Sequence, residues 1–348
     1  MRTTWLLIIL TLAVAVLPCT GSDANAVLWE QPGTITLRDW IWGPRGESGV
    51  PKGPFQFVAE DLKGTNPKIK VRDAKGDHWT VKFGGENHAD VFASRLLCAL
   101  GYVTEPNYFV AGGVITGAHD LRRAKPYIAK DGAFAFARFK LTDHKTLARS
   151  DERTWSWDDN PFAGTHELNG LKILMMLTSN WDAKDARDGA GSNTGVYSKP
   201  GTNGLYYAFD DWGAGMGKWG GFFERDKWDP DGYREQTKNF VRGSAAVIQW
   251  GYRGKHGNDI TSGVSAEDIN WLLTYLAPVT DEEWRAGLRA SGATESEIDI
   301  YATCIRLRIT QLQRLSEAPA ATSGQRPENI PPSLRIMPIG ALEFLPPR

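Results

Sequence analysis

Cysteine is scarce in this chain, with three among 348 residues. One of them, Cys19, lies in an N-terminal apolar segment. Cys98 and Cys304 each sit in an apolar helical pattern, which suits two buried thiols; a disulfide between helices is the alternative in an oxidising compartment. Neither has a His or Cys neighbour at metal spacing, and the six histidines include no HExxH pair, so no zinc site is expected. Net charge is also nearly absent, at −1, which gives no reason to expect nucleic acid or an anionic membrane surface as partner. No internal repeat is present. The apolar run from Trp5 to Leu17 is too short for a comfortable membrane span.

That run reads as a targeting segment. Arg2 precedes it, and Ala24-Asn25-Ala26 supplies small residues at the spacing signal peptidase accepts. Cleavage after Ala26 is expected, giving a mature chain that begins at Val27, is secreted or periplasmic, and has no stable membrane span. Lipoprotein anchoring through Cys19 is the poorer fit, because Leu17-Pro18 makes a weak lipobox.

What the chain does have is length and apolar content for a substantial core, 41% hydrophobic, with fourteen tryptophans scattered as packing residues. Residues 27–54 are rich in Gly, Pro and Trp and read as an irregular leader. Alternation then predicts strands at Phe55–Val58, Ile69–Arg72 and His78–Phe83. A helix is expected from Asn87 to Leu100, ended by Gly101, and further strands near Tyr108–Val114 and Ala135–Leu141. Residues 55–141 thus form a small lobe, mostly antiparallel sheet with one helix. Residues 142–317 form a larger helical lobe. Its first helix, Glu167–Ser179, is capped by Thr165 and apolar nearly all round, and others are expected at Ala266–Leu276, Asp281–Ala290 and Ser296–Leu315. Residues 318–348 read as a disordered Pro-rich tail.

The chemistry-bearing residues fall in one order along this α+β frame. Lys82 ends a strand on the face opposite Val81 and Phe83, read as the inward face of a small sheet, where an ammonium needs a partner, and Asp90 or Glu86 on the next helix can supply it. Gly64-Thr65-Asn66-Pro67-Lys68 forms a hairpin whose amides and Lys68 can meet phosphate oxygens. Asn180-Trp181-Asp182 follows the buried helix. Asn193-Thr194 comes next, and then Ala208-Phe209-Asp210-Asp211-Trp212-Gly213, a strand that delivers an acid. A carboxylate for a substrate hydroxyl, plus an amide and a second carboxylate for magnesium, is what phosphoryl transfer needs. Taken singly, each feature also suits an edge lysine, a polar hairpin, a capping aspartate or a glycine-rich turn.

Gly64-Thr65-Asn66-Pro67-Lys68 resembles the nucleotide loop of HipA-type serine/threonine kinases, as does Trp79-Thr80-Val81-Lys82-Phe83 with the helix His88 to Leu96. Asn180-Trp181-Asp182 is similar to the catalytic loop of the wider group that includes HipA, the phosphatidylinositol kinases and the CotH kinases. Asp211-Trp212-Gly213 resembles their metal-binding Asp. The likeness spans roughly residues 55–217. It implies a bilobal kinase-like fold with ATP and magnesium or manganese in the cleft. Lys82 would contact the phosphates, with Gly64 and Lys68 above them. Asp90, in preference to Glu86, would orient Lys82. Asp182 would align the substrate hydroxyl, and Asp211 and Asn193 would bind metal. The family's metal-binding amide usually lies about five residues beyond the catalytic Asp, where this chain has Arg187. Asn193 therefore implies a loop insertion over residues 185–192, with Asp185 or Asp188 as the other candidates. The acceptor (protein, lipid or small molecule) is not specified by the sequence. Two other readings are an exported pseudokinase that binds nucleotide or a partner, and a glycoside hydrolase using Asp158/Asp159 or Asp210/Asp211.

Overall fold

The computed structural model describes residues 25–64, 66–142, 147–150, 153–189 and 191–317. The expected signal segment and the Pro-rich tail lie outside these residues, apart from Asn25 and Ala26. Strand β1 is Ala26–Val27 and pairs in parallel with the strand Leu205–Phe209, so cleavage after Ala26 would divide it. The leader is less irregular than its composition suggests. It contains helix α1 (Leu37–Trp42), whose Trp40 is fully buried against Trp284 at a ring separation of 5.0 Å.

The first lobe closes into a five-stranded barrel. Its strands are β2 (Phe55–Asp61), β3 (Lys68–Arg72), β4 (His78–Phe83), β5 (Asn107–Thr116) and β6 (Ala133–Leu141), in the order β2-β3-β4-β6-β5. All neighbours are antiparallel except β2 and β5, which meet in parallel and complete the ring. Period-two alternation explains the interior. Ile69, Val71, Trp79, Val81, Phe83 and Phe139 point inward and are buried, which turns Lys82 to the outer face. Helix α2 (Glu86–Ala99) covers that face. It is buried on nearly every side because the second lobe packs on its other flank, with Phe92, Leu96 and Leu97 joining the larger core. Gly101 follows it at φ +82°, and a Cβ there would lie 2.0 Å from the Glu30 carbonyl, so glycine is required both for the turn and for the close approach.

The second lobe is built around α3 (His166–Leu177), buried from Leu168 through Leu177 and capped as expected by Thr165, whose hydroxyl accepts the Leu168 N–H at 3.3 Å. Strands β8 (Thr194–Ser198) and β9 (Leu205–Phe209) form a hairpin beside it, flanked by β1 and by β7 (Ala148–Arg149). Helices α4 (Pro230–Thr237), α5 (Gly257–Thr261), α6 (Ala266–Leu276), α7 (Asp281–Ala290) and α8 (Glu295–Glu317) complete it, with a second hairpin of β10 (Val241–Ser244) and β11 (Val247–Trp250). α4, α5 and both strands of that second hairpin were not expected, since each is short and carries little apolar periodicity. Cys98 and Cys304 are both free thiols. Among the described residues no helix is long and apolar enough to cross a membrane.

Candidate active site

Where α2 meets β4, Lys82 is only 6% exposed, and its ammonium lies 2.6 Å from Glu86 and 3.5 Å from Asp90. Both acids named from the sequence are therefore present, Glu86 as the nearer and Asp90 as the stronger charge acting on the ammonium. Glu86 is the nearer because it stands one helical turn closer to the end of β4. Asp90 is drawn deeper, where it accepts the Arg138 guanidinium at 2.9 Å and the backbone N–H of Trp212 at 3.0 Å. Arg138 is the residue opposite Lys82 in the β4–β6 register, so the two cations share one face of the barrel. Burial opposes the Lys82 ammonium, yet Asp90, Asp211 and Glu86 outweigh it and hold its pKa above the ordinary lysine value. Burial pushes the Asp90 carboxyl up, against the pull of Lys82 and Arg138.

The Trp212–Asp90 hydrogen bond brings the end of β9 onto this cluster. The two adjacent acids just beyond β9 part company, as they would if the alternation of the strand carried on past Phe209. Asp210 turns away from Lys82, accepting the Tyr197 hydroxyl at 2.6 Å and pairing with Arg149 at 2.7 Å. Burial and Glu105 raise its pKa to about 6, against Lys140, Arg149 and Tyr197. Asp211 is half-buried on the Lys82 side. Burial alone would raise its pKa, but the charges of Lys82 and Arg138 and the Gly213 N–H, 3.1 Å from Oδ1, bring it down to about 2. Gly213 leaves no room for a side chain: a Cβ would lie 2.9 Å from Glu86 Cβ, 3.2 Å from Asp211 Oδ1 and 3.3 Å from Asp90 Oδ2. An oxygen each of Asp211 and Asp90 and the Cβ of Glu86 thus crowd one glycine, and Lys82 is held by Glu86 and Asp90 beside it.

The loop after α3 is tied to this point by two side-chain amides. Asn180 donates to the Asp211 carbonyl at 3.1 Å, and Asn193 donates to the Asp182 carbonyl at 2.8 Å. The Asn193 carbonyl in turn accepts the Asp210 N–H at 2.7 Å, and Tyr252 fixes the Asn180 carbonyl at 2.5 Å. Asp182 is partly exposed, and its carboxylate meets only Lys184, at 3.2 Å, among the described residues. Arg138 and Tyr252 were not singled out from sequence, and Asn180 entered only within Asn180-Trp181-Asp182, with no role of its own. Arg138 was readable from its place between inward Ala137 and Phe139, whereas the two loop residues depend on contacts between distant segments.

The hairpin residues are less committed. Gly64 has φ +70° and its carbonyl accepts Arg123 at 2.8 Å, while Lys68 pairs with Asp61 at 3.4 Å instead of standing free. Lys68 does lie opposite Lys82 in the β3–β4 register, and Asn66 hydrogen-bonds Glu86, so the hairpin is latched to the Lys82 pair.

No family model matches the sequence, and no curated protein matches it either. Solved structures similar to the chain include two kinases. One, titled as a Helicobacter pylori proinflammatory kinase CtkA, has a TM-score of 0.43 and 10% identity, over 72% of this chain and 92% of that one. The other, titled as the Golgi casein kinase, has a TM-score of 0.38 and 11% identity, over 81% of this chain and 75% of that one. Both scores lie below 0.5, so neither likeness decides the chemistry, which rests on the geometry.

A hard divalent cation seeks carboxylate and amide oxygens. Asp211 fits: its carboxylate stays ionised, half-buried, with one hydrogen-bond donor. Asn193 fits in its residue type, and its amide nitrogen is already spent on the Asp182 carbonyl, which leaves its oxygen as the available atom. Asp185 and Asp188 fit less well. They approach His256, with Asp188 at 2.7 Å from Nε2, but Arg187 and Lys255 already neutralise them. The glycosidase pairs fail here, since Asp158 binds Arg187 and Asp210 and Asp211 face apart, with Lys82 beside the latter.

The loop cluster carries its own expectation. Burial opposes ionisation of Asp188, but Lys255, the Asp185 N–H and His256 lower its pKa from 3.8 to about 2. A depressed folded-state value stabilises above the unfolded pKa, and that contribution fades as pH falls from about 4 to about 2. Asp188→Asn is expected to cost about 1 kcal/mol at pH 7 and progressively less toward pH 2, as measured by urea unfolding across that range.

Proposed function

We propose that this protein transfers a phosphoryl group from ATP to a hydroxyl acceptor, with magnesium or manganese as the cation. The observation that carries the reading is the convergence around Gly213. A buried, protonated lysine is held by two acids beside an ionised, half-buried aspartate, and the Asp182 loop is cross-tied to that same strand end. Lys82 would bind the phosphates of the nucleotide, Glu86 and Asp90 would position it, and Asp182 would take the hydroxyl proton. Asp211 and Asn193 would hold the metal, which when bound neutralises the charge of the β- and γ-phosphates. The low-identity likeness to two kinases agrees with this reading. Export of the chain is part of the proposal and requires a nucleotide source beyond the cytoplasm.

A binding-only role is the second reading. It is favoured by Arg187 at the position usually given to the metal-binding amide, and by the full pairing of Lys82. The two readings separate at Asp182: Asp182→Asn abolishes transfer in the first and changes nothing in the second.

Lys82→Met tests the nucleotide assignment. The methionine keeps the apolar stem, and each orphaned acid retains a cation, Glu86 keeping Lys227 and Asp90 keeping Arg138. The fold is therefore expected to survive while affinity for Mg-ATP, read by calorimetric titration, falls about 10- to 100-fold. Unchanged affinity would remove Lys82 from the site.

A further inference from the structure

A cavity that nucleotide binding does not use opens in the second lobe. It measures about 440 Å³ and lies between the segment preceding α4, α4 itself and the β10–β11 hairpin. That volume falls in the range of small-ligand sites, roughly 300–1,000 Å³. Trp219 and Trp250 line it, together with the carboxamides of Asn239 and Gln249 and the guanidinium groups of Arg242 and Arg253. No lining side chain is bonded to Lys82, Asp182 or Asp211, so the cavity is separate from the candidate active site.

Much of this lining is unspent. The Trp250 indole N–H is buried yet has no hydrogen-bond partner among the described residues, which is costly unless a ligand supplies an acceptor. Its ring meets Phe240 edge-to-face at 5.7 Å. Gln249 and Arg253 are exposed, and among the described residues neither side chain makes a hydrogen bond or an ion pair. Arg242 donates to the Asn239 side-chain oxygen, which leaves the Asn239 amino group available. Two acids also line the space. Glu224 accepts the Gly221 N–H at 2.8 Å, and Glu235 pairs with Lys218 at 2.8 Å. Two arginines and two glutamates make the formal charge of the lining zero.

We infer that this cavity binds a neutral saccharide, one pyranose unit of a glycan. A pyranose carries C–H groups on its faces and hydroxyls around its rim. An indole offers apolar area to such a face together with one hydrogen-bond donor. Adjacent hydroxyls are spaced to span the two ends of a carboxamide, a carboxylate or a guanidinium, and each hydroxyl both donates and accepts. The lining provides all three planar groups beside two indoles. Arginines alone would point to a phosphate or an acidic sugar, but Glu224 and Glu235 line the same space and repel an anion. They accept from hydroxyls without penalty. The site stands apart from the phosphoryl-transfer reading and does not require it.

The full chain is applied to a microarray of defined neutral and acidic glycans, with free methyl hexopyranosides as competitors. Selective retention on neutral glycans is expected, competed by one free pyranoside. Titration of that pyranoside, read by ligand-observed NMR, should give a Kd that Gln249→Ala and Arg253→Ala each raise about tenfold. Both side chains are exposed and unbonded, so neither change threatens the fold. Trp250→Phe keeps a ring, removes the N–H, and should weaken binding several-fold. Phe222 and Phe223, 83% and 97% exposed, lie outside the cavity, so Phe222→Ser/Phe223→Ser should leave the Kd unchanged. Saturating Mg-ATP should leave it unchanged as well. Four results overturn the inference: no neutral glycan retained, retention confined to sulfated or uronic glycans, affinity that survives both Gln249→Ala and Arg253→Ala, or displacement of the pyranoside by Mg-ATP.

Discussion

Asp211→Asn is expected to leave the protein folded and to lower metal-dependent phosphoryl transfer on the order of 10³-fold, the equivalent of several kcal/mol of lost charge stabilisation. The substitution is isosteric. The Gly213 N–H can still donate to the side-chain oxygen, and Lys82 keeps Glu86 and Asp90, so local packing is retained. What disappears is the negative charge that Lys82 and Arg138 keep ionised at neutral pH. Its neighbour provides the control. Asp210→Asn breaks the pairing with Arg149 and Tyr197 on the other side of the strand, and should cost stability while metal dependence persists. Metal dependence that survives in Asp211→Asn and vanishes in Asp210→Asn would mean the opposite facing of the two acids. Both are read by radiolabel transfer over a metal titration, with urea unfolding alongside.

The second large effect lies far from the chemistry, at Arg308 in α8. Its guanidinium is fully buried with no carboxylate partner among the described residues, which is costly unless every donor is used. It donates to the Leu177 carbonyl at 2.8 Å, the Met176 carbonyl at 3.3 Å, the Ser179 hydroxyl at 2.8 Å, the Thr237 hydroxyl at 2.9 Å and the Tyr233 carbonyl at 3.2 Å. Its plane rests 3.7 Å from the centre of the Tyr233 ring. The Met176 and Leu177 carbonyls belong to the last turn of α3, where the helix dipole favours a cation. Burial lowers the Arg308 pKa, but an arginine so placed keeps its proton. Arg308→Met fills most of the volume and leaves the Met176 carbonyl and the Ser179 hydroxyl without this donor. A loss of about 3–5 kcal/mol is expected in urea unfolding. Transfer should fall as well, since α3 ends three residues before Asn180 and the Asp182 loop hangs from it. A loss below about 1 kcal/mol would mean that the site relaxes and that the helix end is held by other contacts.

Much of this architecture was legible before the fold was known. Alternation in β4 put Lys82 on the face opposite Val81 and Phe83, but that face, read as the inward one of a small sheet, is the outer face of a closed barrel; the length and apolarity of α3 did mark a buried helix with a polar loop behind it. The separation of Asp210 from Asp211 was anticipated from strand alternation, although both acids lie just beyond the end of β9. Other parts were not legible, for physical reasons. The order of Glu86 and Asp90 depends on Arg138 and the Trp212 N–H, which lie 48 and 122 positions from Asp90 and compete for its carboxylate. The closure of the barrel depends on a parallel contact between β2 and β5 that no local pattern encodes. Arg308 occupies a core position of α8, on the same stripe as Tyr301, Ile305 and Leu312, and an arginine there reads as a surface residue until the carbonyls at the end of α3 are seen. The Phe222-Phe223 pair resembles core sequence, and only its exposure marks it as something else.

The central claim is that Lys82 and Asp211 form one binding site for a nucleotide and its metal. Thermal unfolding with and without millimolar Mg-ATP tests it most directly, because a ligand of the native state raises apparent stability by about 2.7 kcal/mol at a hundredfold excess over its Kd. The account predicts a clear rise for the wild-type chain with Mg-ATP, little with ATP in the presence of a chelator, and none for Asp211→Asn or Lys82→Met. A wild-type chain that is folded and shows no rise, or variants that rise as the wild type does, would contradict it.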